Sequence, residues 1–329
     1  MNRSILGKRT MLIGCLLSSM AYANEETSAP SVRPGNAASI WELPSDIWGD
    51  MGTFVRRIDP KESYPFLLGM TAGTLLLVKY DQKILNGSQK LARHMGLISD
   101  EKNGREGRTI LDLSTLGLDM PIRVPANSNS ALYFLGDGLT HVSIAGGLAL
   151  YGSINDDNRS RESAREIMES IISTGIIVQI LKRSTGRESP FASTADGGRW
   201  RPFPSPSAYN ENVPHYDAYP SGHLATAMAT VTVLAGNYPE KTYIKPVGYT
   251  LMALNAFGMM NNGVHWASDY PLGIAIGWLA ADIALERGRK RRQQPQEHAE
   301  NHSTGFQIDA LQPFLQRDGT VGLSAQIDF

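Results

Sequence analysis

Apolar residues in the middle of the chain recur mainly at the three- and four-residue spacing of a helix with one buried face. Strand-like alternation is scarce between Ser39 and Arg287, and no internal repeat is present. We therefore predict an all-α fold, a helical bundle, over residues 39–287. The helical spacing is clearest in residues 66–78, 131–152, 163–183, 223–236, 246–260 and 271–286.

The last segment, residues 304–329, has a different pattern. Its apolar residues alternate with polar ones on both sides of Asp318-Gly319, a dipeptide that favours tight turns. Alternation with a period of two is typical of a strand with one buried face. We predict a C-terminal β-hairpin that packs one apolar face on the helical domain. A basic and polar linker, residues 288–303, would connect the two.

The uncharged runs decide whether the predicted helices could cross a membrane. A spanning helix needs roughly 20 predominantly apolar residues. The nearest candidate, Pro246–Val264, has nineteen residues and contains Asn255, Asn261 and Asn262. The pattern therefore favours a bundle with apolar inner faces over a protein with several membrane spans.

A basic run, RGRKRR, occupies residues 287–292. It could bind anionic lipid headgroups, which would give the protein a peripheral contact with a membrane. Alternatively, it is a solvated helix end whose cations interact with the C-terminal end of the helix dipole. The sequence leaves both interpretations open.

The N-terminus has the organisation of a secretory signal. The cations Arg3, Lys8 and Arg9 precede a short apolar stretch, and residues 21–23 (AYA) fit the small-x-small pattern of a cleavage site. We expect residues 1–23 to be a removed signal peptide, residues 24–38 to be a disordered lead-in, and the mature protein to lie in the periplasm. The alternative is a lipoprotein signal that ends at Cys15.

Composition narrows the functional classes. The chain has 329 residues, with 31 Lys and Arg against 32 Asp and Glu, and a formal net charge of −1. This balance gives no overall basic field, so we expect no nucleic-acid partner. Cys15 is the single cysteine, which excludes an internal disulfide, a CxxC redox pair and a thiolate zinc cluster.

Two clusters of polar residues lie where predicted helices end or begin. The run from Lys182 to Arg187 puts three cations at a helix end, as a phosphate or carboxylate ligand would require. Further along, Ser221 is a natural N-cap, and Gly222 leaves room for a ligand. His223 would then stand beside free backbone N–H groups as a proton donor. The alternatives are a solvated helix end and a capped helix with an incidental histidine.

A third cluster lies just before the last predicted helix. Pro271 is tolerated only in the first turn of a helix, so the helix should begin near Ser268. His265 and Asp269 can then meet where it begins. A carboxylate that accepts the Nδ1 proton would leave Nε2 of the imidazole as a free nucleophile. Such a pair, taken alone, is also common as a purely structural contact.

Together, the three clusters resemble the signature of the type 2 phosphatidic acid phosphatase superfamily, which also contains bacterial class A acid phosphatases and vanadium haloperoxidases. That pattern is Lys, six residues and Arg-Pro; then Pro-Ser-Gly-His; then Ser-Arg, five residues, His, three residues and Asp. The resemblance covers roughly Trp41 to Arg287. The matching positions are Lys182, Pro190, Pro220, Ser221, Gly222, His223, His265 and Asp269.

Two positions depart from this pattern. Ser189 stands where the family has the first arginine, and Gly258-Met259 stand where it has Ser-Arg. A well-placed arginine can contribute about a thousandfold or more to phosphoryl transfer. Arg187 is therefore a candidate replacement as a phosphate ligand. Two further arginines lie in the loop before the second cluster, Arg199 and Arg201.

The resemblance implies an all-α bundle and a hydrolase that needs neither metal nor other cofactor. His265 would attack phosphorus to form a phosphohistidine, Asp269 would orient its ring, and His223 would protonate the leaving oxygen. The phosphoryl oxygens would be held by Lys182, Ser221 and the N–H of Gly222.

We therefore expect a periplasmic phosphoric ester hydrolase that acts on a phosphomonoester or pyrophosphate of a small molecule or a lipid. One alternative is an impaired family member that binds a phosphorylated envelope ligand. A second is other chemistry in the same pocket: a vanadate-dependent peroxidase, or a metallohydrolase. The ligands of such a metallohydrolase would be His215, Asp217, His223 and His265. The sequence does not predict the oligomeric state.

Overall fold

The computed structural model describes residues 42–58, 60–97, 107–112, 121–293, 307–315 and 321–328. The predicted signal peptide (1–23) and lead-in (24–38) lie outside these ranges. Most of the described chain is helical, and the predicted all-α fold class is confirmed.

The first half contains helices and a short ribbon of two strands that the sequence pattern did not predict. The ribbon pairs β1 with β2 in antiparallel fashion, and its register shifts between Thr109 and Leu111. The elements are α1 (Leu43–Arg57), α2 (Pro60–His94), β1 (Arg108–Asp112), β2 (Pro121–Val124), α3 (Ser128–Phe134) and α4 (Gly138–Ile154).

The second half supplies the centre of the bundle. Helices α5, α7 and α9 pack against one another, α4 packs on α5, and α8 packs on α7. Helix α9 continues through residues 288–293, which the sequence assigned to the linker. The helices are α5 (Asn158–Thr185), α6 (Pro206–Glu211), α7 (Gly222–Asn237), α8 (Ile244–Asn261) and α9 (Tyr270–Gln293).

Helices α7 and α9 approach each other at the level of their backbones. A Cβ atom at Gly277 would overlap the carbonyl oxygen of Ala225, and one at Gly273 would overlap the carbonyl oxygen of Ser221. The first turns of the two helices are therefore held side by side without intervening side chains. This contact sets the distance between the second and third polar clusters.

The asparagines that interrupt the run Pro246–Val264 are buried and hydrogen-bonded. Asn255 Nδ2 donates to the carbonyl oxygens of Leu132 and Tyr133 at 2.8 and 2.9 Å, and Asn261 Nδ2 donates to Asn129 Oδ1 at 2.8 Å. They fix α3 against α8. Within the ranges given above, we find no helix of the length and apolarity that a membrane span requires.

The basic run at the end of α9 turns mostly inward. Arg287 Nε donates to Asp50 at 2.9 Å, Arg291 donates to Asp46 at 2.9 Å, and Arg292 donates to Glu166 at 3.0 Å. The partners belong to α1 and α5, so most of this run joins three helices. Neither sequence interpretation, a lipid contact or a solvated end, anticipated this pairing.

At the C-terminus, β3 (Gln307–Leu315) pairs with β4 (Val321–Asp328) in antiparallel fashion. Leu315 lies opposite Val321, and the register shifts between Ile308 and Ala310. The predicted turn at Asp318-Gly319 lies outside the described residues. That this segment packs on the helical domain stays a prediction.

Candidate active site

The three polar clusters meet where α5 ends and where α7 and α9 begin. Helix α5 stops because Gly186 adopts a left-handed conformation with φ of 57°, and its N–H donates to the carbonyl oxygen of Lys182 at 2.8 Å. A Cβ at Gly186 would overlap the carbonyl oxygen of Arg201. Glycine is therefore required to turn the chain directly after Thr185, the last residue of α5.

His265 and Asp269 form a buried pair. His265 Nδ1 lies 3.3 Å from Asp269 Oδ2, and the exposed fractions of the two residues are 2% and 0%. The backbone N–H of Trp266 also donates to Asp269 Oδ2, at 2.7 Å. This arrangement fixes the ring so that Nε2 is the nitrogen left for chemistry.

His223 lies on the other side of His265, at the start of α7. The ring centroids of the two histidines are 6.1 Å apart, and the ring of Tyr133 lies 4.5 Å from that of His223. Nε2 of His223 is buried, with no hydrogen-bond partner among the described residues. A ligand that supplied the missing hydrogen bond would remove an energetic penalty.

The surroundings of His223 disfavour its protonated form. Burial lowers the pKa of His223 well below its ordinary value, and the neighbouring charges of His265, Lys182 and His141 lower it further. The free site therefore holds His223 as a neutral imidazole at neutral pH. A bound anion would oppose this effect, because it stabilises the imidazolium.

A cavity of about 240 Å³ opens beside His223. Its wall includes Lys182 and Gln179 of α5, Gly222 and His223 of α7, and Asp137 before α4. Lys182 Nζ lies 3.3 Å from Asp217 Oδ2, and Asp217 is not among the described residues that line the cavity. His265 is not among the described residues that line this cavity.

Ser221 and Gly222 build the start of α7. Ser221 Oγ accepts a hydrogen bond from Leu224 N at 3.5 Å, and Ser221 N donates to the carbonyl oxygen of Asp269 at 2.9 Å. Ser221 is fully buried and couples α7 to the turn that carries Asp269. Gly222 faces the cavity, where its backbone and the helix dipole favour an anion.

The fold of this site agrees with an independent comparison of sequences. The sequence profile of the PAP2 superfamily matches residues 164–293, which contain Lys182, His223, His265 and Asp269. This part of the chain is a PAP2 superfamily domain. The resemblance that the three clusters indicated is thereby confirmed.

Two known proteins are similar to parts of the chain. The lipid A 1-phosphatase of Porphyromonas gingivalis is 35% identical over 68 residues, which are 20% of this chain. The chain spans only 15% of the length of that relative. The alignment with the crystal structure of Aquifex aeolicus LpxE covers 48% of this chain and 83% of that one, with 22% identity and a TM-score of 0.37.

Arg187 does not occupy the place of the missing arginine of the PAP2 signature. It is fully buried, and its guanidinium donates to Asp269 Oδ1, Ser268 Oγ and Asp81 Oδ2, each at 2.6 Å. It therefore binds the carboxylate behind His265. This differs from the role that the sequence suggested, a replacement ligand for the phosphate, because its hydrogen-bonding fork is already engaged by two carboxylates.

The two PAP2 positions that lack arginine are filled by structural residues. Ser189 is buried, and its N–H donates to the carbonyl oxygen of Pro214 at 2.8 Å. Met259 is fully buried in an apolar cluster with Leu224 and Tyr270. Lys182 is therefore the one Lys or Arg side chain among the described residues that line the cavity.

The remaining arginines near the PAP2 site have other surroundings. Arg201 pairs with Glu188, Arg183 lies over the ring of Tyr209 at 4.3 Å from its centroid, and Arg199 is exposed.

In the described ranges, no three His, Cys, Asp or Glu side chains form a group that could hold a metal ion.

Glu188 holds the loop that follows Arg187. Its carboxylate accepts hydrogen bonds from the backbone N–H of Thr194 at 3.0 Å and of Arg199 at 2.8 Å, and from the Arg201 side chain. Burial alone would raise the pKa of Glu188, but these hydrogen bonds outweigh it and lower the pKa to about 2. The ionised carboxylate of Glu188 therefore fixes the conformation of this loop.

We expect Glu188→Gln to lower the free energy of unfolding by about 2 kcal/mol at pH 7. The folded-state pKa is below the ordinary value, so the charge stabilises the fold above about pH 4.5, and this stabilisation is lost as the pH falls towards 2. Urea unfolding at pH 7, 4 and 3 should show the difference shrinking with acid. The exposed Glu211→Gln is the matched control; a constant difference for Glu188→Gln would contradict the assignment.

Sequence reasoning missed two residues that contact the clusters carrying the histidines. Tyr133 packs on His223 from α3, and Asp81 reaches the third cluster from α2. The signal for Asp81 was a lone carboxylate after the apolar run 66–78, which is equally typical of a solvated helix face. Only the packing of α2 against the turn before α9 distinguishes the two.

Proposed function

We propose that this protein is a metal-independent phosphatase of the cell envelope that hydrolyses a phosphate ester or pyrophosphate through a phosphohistidine. One observation carries the proposal: the buried Asp269–His265 pair faces the ring of His223, which lines a cavity with Lys182. One histidine has an orienting carboxylate, and the other has an unbound nitrogen beside an anion-binding helix start. That is the division needed for a nucleophile and a general acid.

The first step forms a bond from His265 Nε2 to phosphorus while the bond from phosphorus to the leaving oxygen breaks. His223, protonated when the anionic substrate is bound, gives its proton to that oxygen. Lys182 and the N–H groups at the start of α7 stabilise the phosphoryl oxygens. Asp269 balances the positive charge that develops on the His265 ring.

The second step returns the site to its starting state. Water attacks phosphorus, His223 accepts a proton from the water, and the bond to His265 Nε2 breaks. Inorganic phosphate leaves, the proton on His223 passes to solvent, and the free site again holds His223 as a neutral imidazole. Atoms and charges balance without an added reactant other than water.

We further propose that the substrate is a phosphorylated lipid at a membrane surface. Exposed aliphatic side chains follow the cavity lining in sequence: Leu139 after Gly138, Ile176 after Gly175, and Ile180 after Gln179. Apolar side chains near a charged cavity suit a phosphate headgroup with acyl chains. The similarity to a lipid A 1-phosphatase over 68 residues supports the same class. The signal-like residues 1–23 support a periplasmic location.

The test compares p-nitrophenyl phosphate with a phosphorylated lipid in mixed micelles, each with and without EDTA. We expect turnover of both, indifferent to EDTA and inhibited by vanadate. His215→Ala is the control variant, because His215 belongs to the metallohydrolase alternative alone, and it should keep full activity. Loss of turnover in EDTA together with loss in His215→Ala would support that alternative, and halide oxidation with peroxide would support a peroxidase.

A second candidate function is favoured by the arginine positions. Ser189 and Met259 are structural and Arg187 binds Asp269, so the phosphoryl oxygens meet a single lysine. A protein that binds a phosphorylated envelope ligand without turnover would have this property. In that case inorganic phosphate would raise the melting temperature of the protein, whereas neither p-nitrophenyl phosphate nor the phosphorylated lipid would be hydrolysed.

A further inference from the structure

Asp81 is a fully buried carboxylate that α2 contributes to the turn before α9. Its Oδ1 accepts a hydrogen bond from Ser268 N at 3.0 Å, and its Oδ2 accepts from Ser268 Oγ and from Arg187 Nη2, both at 2.6 Å. Asp81 lies outside residues 164–293, the range that matches the PAP2 superfamily. The motif residues therefore depend on a helix that the family signature does not include.

Arg187 is shared between two carboxylates. One Nη atom donates to Asp269 Oδ1 and the other to Asp81 Oδ2, each at 2.6 Å. The guanidinium carbon lies 4.7 Å from the ring centroid of Trp200 and 5.3 Å from that of Trp266, so two aromatic rings confine its plane. Within that plane, each Nη atom is held by one carboxylate and one neutral acceptor, Ser268 Oγ for the first and the carbonyl oxygen of Gly197 for the second.

Three buried charges in contact are costly to desolvate, and a pair of apolar residues would often stabilise a fold as well. Here the charges have a geometrical effect. Asp269 gives Oδ1 to Arg187, which leaves Oδ2 for Trp266 N and His265 Nδ1. The second Nη atom of Arg187 donates to Asp81 Oδ2 and to the carbonyl oxygen of Gly197, so only the first one contacts Asp269.

We propose that Asp81 is a positioning residue for His265: it holds Arg187 and Ser268 so that Asp269 presents Oδ2 to His265 Nδ1. The inference rests on the proposed function for its kinetic part. Without the Asp81 charge, Arg187 turns towards Asp269 and competes for Oδ2. The His265 ring then loses the contact that fixes its tautomer and its orientation towards phosphorus.

The test is Asp81→Asn in the full chain, compared with Asp50→Asn. Asp50 is a matched control because it is also a buried aspartate paired with an arginine, at 2.9 Å from Arg287 Nε, and belongs to the contact of α1 with α9. We expect Asp81→Asn to lower kcat about 10- to 100-fold with KM changed less than about threefold. Asp50→Asn should lose comparable stability in urea and keep the wild-type kcat.

A second readout does not depend on turnover. In protein labelled with ¹⁵N-histidine, the ring nitrogens of His265, assigned by their absence in His265→Ala, report its tautomer. We expect Asp81→Asn to shift them and Asp50→Asn to leave them in place. If the wild type hydrolyses no phosphate ester, the proposed function fails, and these resonances still decide the role of Asp81.

A third variant covers the case in which Asp81→Asn does not fold. Ser268→Ala removes one hydrogen bond to Asp81 and one from Arg187 while keeping every charge, and we expect a smaller loss of kcat, about threefold to tenfold. Wild-type kcat and unshifted His265 resonances in folded Asp81→Asn would overturn the proposal. If Asp81→Asn does not fold, the same result in Ser268→Ala would overturn it.

Discussion

Replacement of His265 by alanine should reduce phosphate ester hydrolysis on the order of 10⁴-fold or more, because the variant has no atom to form the bond to phosphorus. The loss should appear in kcat for every substrate, whatever its leaving group. His265 is buried beside Asp269 and the ring of Tyr270, so the variant must be shown to be folded by circular dichroism and thermal unfolding.

Trapping the intermediate separates a nucleophile from a residue that merely shapes the site. Wild-type protein quenched in alkali during turnover of ³²P-labelled substrate should retain label on a histidine, and His265→Ala should retain none. Labelled His265→Ala would assign the nucleophile to another residue. Full activity in this variant would exclude the phosphohistidine mechanism altogether.

Replacement of His223 by asparagine should lower activity about 10²- to 10⁴-fold on an alkyl or lipid phosphate, the range typical of a lost general acid. The same variant should lose much less on p-nitrophenyl phosphate, because nitrophenolate leaves without a proton. The comparison isolates the acid role, since any change in folding or phosphate binding affects both substrates. Equal losses on the two would contradict that role.

The pH dependence of the wild type follows from the same residue. The pKa of His223 lies well below its ordinary value, mainly because of burial. The free enzyme therefore contains less of the protonated form as the pH rises, and kcat/KM on a lipid phosphate should fall from acidic towards neutral pH. In His223→Asn this limb of the profile should disappear.

The sequence predicted those features that depend on short stretches of chain. Helical periodicity gave the fold class, and the local order of Ser221, Gly222 and His223 predicted a helix start that the structure contains. His265 and Asp269 lie four residues apart, so one turn of chain brings them together. Each of these inferences needs only the geometry of neighbouring residues.

The features that the sequence did not reveal depend on partners far away in the chain. The direction of Arg187 is set by Asp81, 106 residues earlier, and by Asp269, 82 residues later. Arg287, Arg291 and Arg292 face inward because α1 and α5 present acids to them. A cation near a motif is equally compatible with a phosphate ligand and with a buried ion pair until its surroundings are known.

The anchoring of the site by α2 has a consequence for how the protein acquires its activity. The hydrogen bond from Ser268 to Asp81 closes a loop of 187 residues, and contacts that distant in sequence form only after most of the chain has been ordered. Local unfolding that detaches α2 would leave the motif helices paired but the ion triad open to water. Recovery of turnover during refolding would therefore report the docking of the N-terminal helices, later than the recovery of helical signal.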